Sequence, residues 1–129
     1  MSRNNNGTER FNESTPHVTG LAPAGVAYVP AACRAAAARC RVHFSLHGCS
    51  LEEYYDDAVH HLSFAGWAEA NALVLVFPRL QPFGGTVATQ AGCWDGYGQT
   101  GTDYALKSGA QMRAVHSMMA ELLQPAPAP

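Results

Sequence analysis

The segment Arg41–Ser50, RVHFSLHGCS, constrains the fold of this chain more than any other. Val42, Phe44 and Leu46 alternate with Arg41, His43 and Ser45, the period-2 pattern of a strand with one buried face. The strand runs into His47-Gly48-Cys49, and Ser50-Leu51-Glu52-Glu53 has the form of a capping box opening a helix. A strand that breaks at a glycine directly before a helix N-terminus leaves backbone N–H groups unpaired beside a positive helix end. Fixed donors of this kind suit a developing negative charge, so Gly48 and Cys49 are a candidate anion or oxyanion site. The alternative is an ordinary strand-to-helix turn that needs a glycine.

Beyond the turn, Leu51, Tyr54, Tyr55, Ala58, Val59 and Leu62 stand at helical spacing, predicting a helix from Ser50 to His61. Asp56 and His60, like Asp57 and His61, are placed to pair along its surface. Adjacent histidines on a helix diverge by about 100° and do not converge on one ion. His43 and His47 would share a face only on a helix, so they too are read as no metal pair. Ser63 is placed to cap a second helix containing Trp67 and Ala68 and ending at a left-handed Asn71. Leu73–Phe77, LVLVF, is a continuous apolar run stopped by Pro78, as expected of a strand covered on both faces in a parallel sheet. With a further strand at Val26–Pro30, this strand–helices–strand order predicts an α/β fold with a small, mostly parallel sheet.

From Pro78 to Lys107 the sequence is glycine-rich and without a clear period, as in connections that carry function or cover something. Trp94 and Tyr97 lie in it, either as a stacking wall for a ligand or as aromatic plugs holding the loop down. Ser108-Gly109-Ala110-Gln111 reads as another capping box. It opens a helix with Met112, Val115, Met119 and Leu122 on one face and His116 beside it in a structural role.

A chain of 129 residues supports one domain, expected over residues 23–124. The polar segment 1–22 and the Pro/Ala segment 125–129 are expected to be disordered ends. A net charge of -2 and scattered Lys and Arg provide no basic stripe for nucleic acid. No apolar run reaches membrane-spanning length, and no signal peptide is visible. Of the four cysteines, Cys33 and Cys40 flank a short alanine-rich link between two strands expected to run antiparallel, which suits a bond between them. That leaves Cys49 and Cys93 to clamp the HGC turn to the distant loop; the alternative is four reduced thiols. No pair has C-x-x-C spacing, so a zinc knuckle is not indicated.

VAYVPAAC, CRVHFSLHGC, WAEAN, LVLVFP, GCWDGYG and TGTDYALKSGAQMRAV, in this order from about Gly25 to Leu123, resemble the C-terminal part of poly(3-hydroxybutyrate) depolymerases of the circularly permuted α/β-hydrolase type. The resemblance implies a partial α/β-hydrolase fold, carboxylic-ester hydrolysis, a polyester or small ester as substrate, no cofactor, and an extracellular or periplasmic location. It implies that the backbone N–H of Cys49 belongs to an oxyanion hole, and that Cys49–Cys93 and Cys33–Cys40 are family disulfides. It also implies that the aromatics after Gly92-Cys93 line the polymer cleft. Trp94 is kept, but Gly96 and, in part, Tyr97 replace the next aromatics of the family, and Gln99 stands where another is usual.

Acyl transfer on this fold uses a serine on a G-x-S-x-G elbow, backed by His and Asp. Ser45, Ser50, Ser63, Ser108 and Ser117 all lack that context. In the permuted relatives the triad precedes the matched segment, so no triad residue is assigned here. The resemblance thus points to a fragment or half of a depolymerase, with another chain as a possible source of the catalytic half. Two alternatives are a non-catalytic module that binds polyester or another apolar ester, and a stand-alone domain for protein contacts.

Overall fold

A computed structural model of the chain describes residues 2–3, 8–12, 20–35, 38–51, 54–61 and 64–123. The LVLVF run forms β5 (Leu73–Phe77), buried along its whole length. Its branched and aromatic side chains suit a pleated surface covered on both faces, and Pro78, which has no N–H, ends the ladder. Around it lie β1 (Ser2–Arg3), β2 (Thr8–Asn12), β3 (Ala24–Tyr28) and β4 (Arg41–Phe44), in the order β1-β2-β3-β5-β4. Helices α1 (Tyr55–His61), α2 (Phe64–Asn71), α3 (Val87–Gln90) and α4 (Ala110–Leu122) complete the described fold. None of the described helices is long and apolar enough to cross a membrane.

The class is α/β, with a small sheet flanked by helices, but the sheet is mixed rather than mostly parallel. Only β4 runs parallel to its neighbour, with Arg41 opposite Leu73 and Phe44 opposite Val76. β3 meets β5 antiparallel, as β2 meets β3 and β1 meets β2. Burial on both faces makes an interior strand continuously apolar whatever the direction of its neighbours. The expected polar tail 1–22 therefore also needs correction: it supplies β1 and β2, and buried Leu21 bridges Leu80. Backbone ladder bonds to an open sheet edge do not require apolar side chains. The expected tail 125–129 lies outside the described residues.

The sheet separates two apolar layers. Ala27, Val74 and Val76 join Leu80, Ala114 and Met118 on the α4 side, with Val42, Phe44 and Trp94 packed against them. Val26, Leu73, Leu75 and Phe77 join Tyr55 and Ala68 on the α1/α2 side. Val76 and Leu80, both fully buried, each contribute about 1.5–3 kcal/mol by leaving water. β4 keeps the expected alternation, because Arg41 and His43 are exposed while Val42 and Phe44 are half-buried.

Several local expectations give way to packing. α1 begins at Tyr55, not Ser50; Ser50 instead takes a left-handed φ of 59°, and Glu52 and Glu53 of the expected capping box lie outside the described residues. Ser63 and the side chains of His60 and His61 also lie outside them. Asn71 stays helical and its Nδ2 donates to the Trp67 carbonyl at 2.8 Å, while Ala72 takes the left-handed φ of 49°. The glycine-rich connection contains α3, whose Thr86 and Thr89 form a reciprocal capping box. α4 is capped by the Gly109 backbone rather than by Ser108. A Cβ on Gly109 would lie 2.6 Å from the Tyr104 carbonyl oxygen, so close backbone approach fixes that glycine. The buried stripe of α4 is Gln111, Ala114 and Met118, one position off the expected Met112–Val115–Met119 face, and His116 is exposed. Gln111 is drawn inward by the bond its Oε1 accepts from the Asp95 N–H, and Ala114 and Met118 follow it into the core.

Candidate functional site

The HGC turn follows β4 on the side where β5 runs on to Leu80. The last ladder bond, from the Ser45 N–H to the Val76 carbonyl at 2.8 Å, carries the chain just past β4. His47 then folds back on the core. Its Nε2 accepts from the Leu80 N–H at 3.0 Å, and its Nδ1 lies 2.7 Å from the Gly48 carbonyl oxygen. An amide N–H can only donate, so Nε2 is the acceptor and the Nδ1–H donates to Gly48. Neither ring nitrogen is left to take a proton from a nucleophile. The imidazole meets Tyr55 edge-on, with centroids 5.9 Å apart.

Tyr55, which periodicity identifies only as an apolar helix position, joins three elements. Its hydroxyl accepts from the Val26 N–H at 3.3 Å and donates to the Phe77 carbonyl, tying α1 to β3 and β5. The Arg79 guanidinium lies over its ring at 5.2 Å.

Cys49 is exposed and bonded to Cys93, with Cα atoms 4.3 Å apart. Next to the disulfide, the Ser50 N–H donates to the Ala91 carbonyl at 2.6 Å. The turn is therefore held to the segment after α3 by a covalent bond and a hydrogen bond. Among the described residues, neither the Gly48 nor the Cys49 N–H has an acceptor. A Cβ on Gly48 would meet nothing within 4 Å, and its φ is not in the left-handed region. Open space therefore borders this backbone. The helix-end argument for the turn does not hold, since α1 starts several residues later; only the unpaired N–H groups carry it. Cys33 bonds Cys40 at a Cα separation of 5.9 Å, but that link spans β5, which lies between β3 and β4.

Trp94 is half-buried beside the turn. Its Nε1–H donates to the His47 carbonyl at 3.0 Å, and its ring lies 6.1 Å from the imidazole. Tyr97 is 85% exposed and projects from the loop instead of stacking on Trp94. The loop itself is organised by Asp95. Its Oδ1 accepts from the N–H groups of Tyr97, Gly98 and Gln99, and its Oδ2 from the N–H and hydroxyl of Thr100. Partial burial pushes the Asp95 carboxyl up, but the bonds from Thr100, Tyr97 and Gln99 outweigh it and hold it at about 2. The Asp95 N–H donates to Gln111 Oε1 at 2.8 Å, docking the loop on α4. Asp followed by glycines and threonine was a readable signal for such a turn. Nothing local marked Gln111 as its anchor.

Among the described residues, no group of three or more His, Cys, Asp or Glu side chains is arranged to hold a metal ion.

No protein-family model matches the sequence. The chain is 37% identical over 115 residues to the poly(3-hydroxybutyrate) depolymerase of Delftia acidovorans, an alignment covering 84% of this chain and 22% of that protein. The structure matches a Ser-to-Ala variant of PHB depolymerase complexed with R3HB trimer, with a TM-score of 0.79 and 26% identity over 88% of this chain and 39% of that one. It matches PHB depolymerase from Penicillium funiculosum with the same TM-score and identity, over 91% of this chain and 41% of that one. The chain thus spans about a fifth of the length of the curated relative and about two fifths of the solved structures. It is homologous to one part of the poly(3-hydroxybutyrate) depolymerases and has a partial α/β-hydrolase-like fold.

Proposed function

We propose that this chain forms the oxyanion and cleft-wall part of a polyester depolymerase or related carboxylic-ester hydrolase, with the nucleophile supplied by another polypeptide segment. The observation that carries the reading is the exposed Gly48–Cys49 turn, whose N–H groups have no acceptor among the described residues and which is tied to Trp94 through Cys93. In acyl transfer the attacked carbonyl becomes an oxyanion, and a fixed backbone N–H stabilises that charge without having to reorganise. The Cys49 N–H takes this role here. Trp94 forms the adjoining apolar wall, and Tyr97 is a second aromatic for an ester chain to pass.

The need for another segment is supported by the absence of G-x-S-x-G from the sequence and by the share of the relatives that is matched. β4 adds to this support, since it is the last strand of the sheet among the described residues. Arg41 and Ser45 turn their N–H groups toward β5, so the alternating N–H groups of Val42 and Phe44 face the open edge. A strand ending in a serine turn and running parallel to β4 would deliver its nucleophile at the HGC end of the sheet. Two disulfides suit an extracellular or periplasmic site of action.

The test is hydrolysis of p-nitrophenyl butyrate by the purified chain, alone and after addition of the unmatched portion of the Delftia acidovorans relative. Turnover only in the mixture is the expected result. Substantial turnover by the chain alone would reveal an overlooked nucleophile. The exposed Tyr97 and half-exposed Trp94 also favour a second reading, a non-catalytic module that binds polyester. Retention on polyester granules with no turnover in any combination selects it.

A further inference from the structure

We infer that His47 is a positioning residue that fixes the direction of the Cys49 N–H by holding the Gly48–Cys49 peptide from its carbonyl side. In a trans peptide the C=O and the following N–H point in opposite directions in one plane. The His47 Nδ1–H, 2.7 Å from the Gly48 oxygen, draws that carbonyl toward the imidazole. The Cys49 N–H on the same peptide must then point away from it.

The imidazole is in turn fixed from several sides. Its Nε2 is held by the N–H of fully buried Leu80, the tilted Trp94 ring lies 6.1 Å away, and Tyr55 meets it edge-on. Its own backbone carbonyl is held by the Trp94 indole. The neighbouring peptide is constrained as well, because the Ser50 N–H is committed to Ala91 and Ser50 occupies a left-handed φ of 59°. Rotation of the Gly48–Cys49 peptide is thus opposed at both ends, and glycine at 48 leaves the space beside it open. Without the imidazole donor, the Gly48 carbonyl could turn to water and carry the Cys49 N–H with it. The two ring nitrogens divide the labour: Nε2 anchors the ring to the core, and Nδ1 sets the donor.

This division gives two variants with opposite losses. His47→Asn keeps an amide N–H near the Nδ1 position and gives up the Leu80 acceptor. His47→Gln keeps an acceptor that reaches toward Leu80 and gives up the short donor to Gly48. The inference rests on the proposed oxyanion role for its catalytic meaning, so two readouts are needed. The first is the amide resonance of Cys49 in the chain alone: it is expected to shift in His47→Gln and to stay near its parent position in His47→Asn. Equal shifts in both variants, or none in His47→Gln, overturn the inference whatever the activity. The second readout is p-nitrophenyl butyrate hydrolysis by the chain mixed with the unmatched portion of the Delftia acidovorans relative. There His47→Gln should lower kcat by about tenfold to a hundredfold with little change in KM, and His47→Asn should restore most of it. A shifted Cys49 resonance with unchanged kcat leaves His47 as the positioning residue and removes the oxyanion role of Cys49 instead.

Discussion

Trp94 and His47 are joined across 47 positions of sequence by the bond from the indole Nε1–H to the His47 carbonyl, 3.0 Å long. This bond and the adjacent Cys49–Cys93 disulfide make the Trp94 loop and the HGC turn one unit. Trp94→Phe should keep most of the ring packing but leave that carbonyl without its donor, costing about 1 kcal/mol in urea unfolding. Trp94→Ala should cost about 3 kcal/mol and also weaken retention on polyester granules. Full retention by a folded Trp94→Ala chain would remove the wall role.

The Cys49–Cys93 bond closes a loop with a sequence separation of 44. In the chain-entropy account its loss should lower stability by about 4 kcal/mol, against about 2–3 kcal/mol for the short Cys33–Cys40 loop. Chemical unfolding of the two double-alanine variants measures both. A larger loss at Cys33–Cys40 would contradict the account.

Asp95 gives the loop a defined acid limit. Its carboxyl is lowered from 3.8 to about 2 in the folded chain, so the charged form is favoured by folding. The stabilisation is complete above the unfolded value near 3.8 and is lost as pH falls through about 2. The amide resonances of Gly98 and Thr100 should therefore hold their positions down to about pH 3 and move as pH falls through about 2. In Asp95→Asn that transition should disappear.

Ala72 carries a left-handed φ of 49° at the end of α2, where a Cβ is unfavourable. Ala72→Gly should raise stability by about 0.5–1 kcal/mol, read as a higher urea midpoint with an unchanged slope. A lower midpoint would mean that the methyl group makes a contact worth more than the backbone strain.

The sequence made the strands around the turn legible because burial writes itself into periodicity. Val42 and Phe44 alternate since β4 is covered on one face, and LVLVF runs on since β5 is covered on two. Cysteine positions likewise carried the two links, Cys33–Cys40 and Cys49–Cys93. The contribution of the polar N-terminal segment to the sheet was not legible, because β2 joins β3 through backbone groups that every residue type carries. The rotation of α4 was also hidden. It turns on Gln111, a polar side chain buried because its Oε1 takes the Asp95 N–H, while its Nε2 has no partner among the described residues. Within the site, the unpaired turn could be read from strand, glycine and cysteine. The contacts of His47 could not, since Leu80 reaches it only through the parallel packing of β4 on β5.

The proposed oxyanion role of the Cys49 N–H is tested most directly by comparing Cys49→Pro with Cys49→Ala for p-nitrophenyl butyrate hydrolysis, each mixed with the unmatched portion of the Delftia acidovorans relative. Both variants lose the disulfide, and only the proline variant also loses the N–H. The account expects kcat to be about 10²–10³ lower for Cys49→Pro than for Cys49→Ala when both are folded. Equal kcat values in the two folded variants would contradict it.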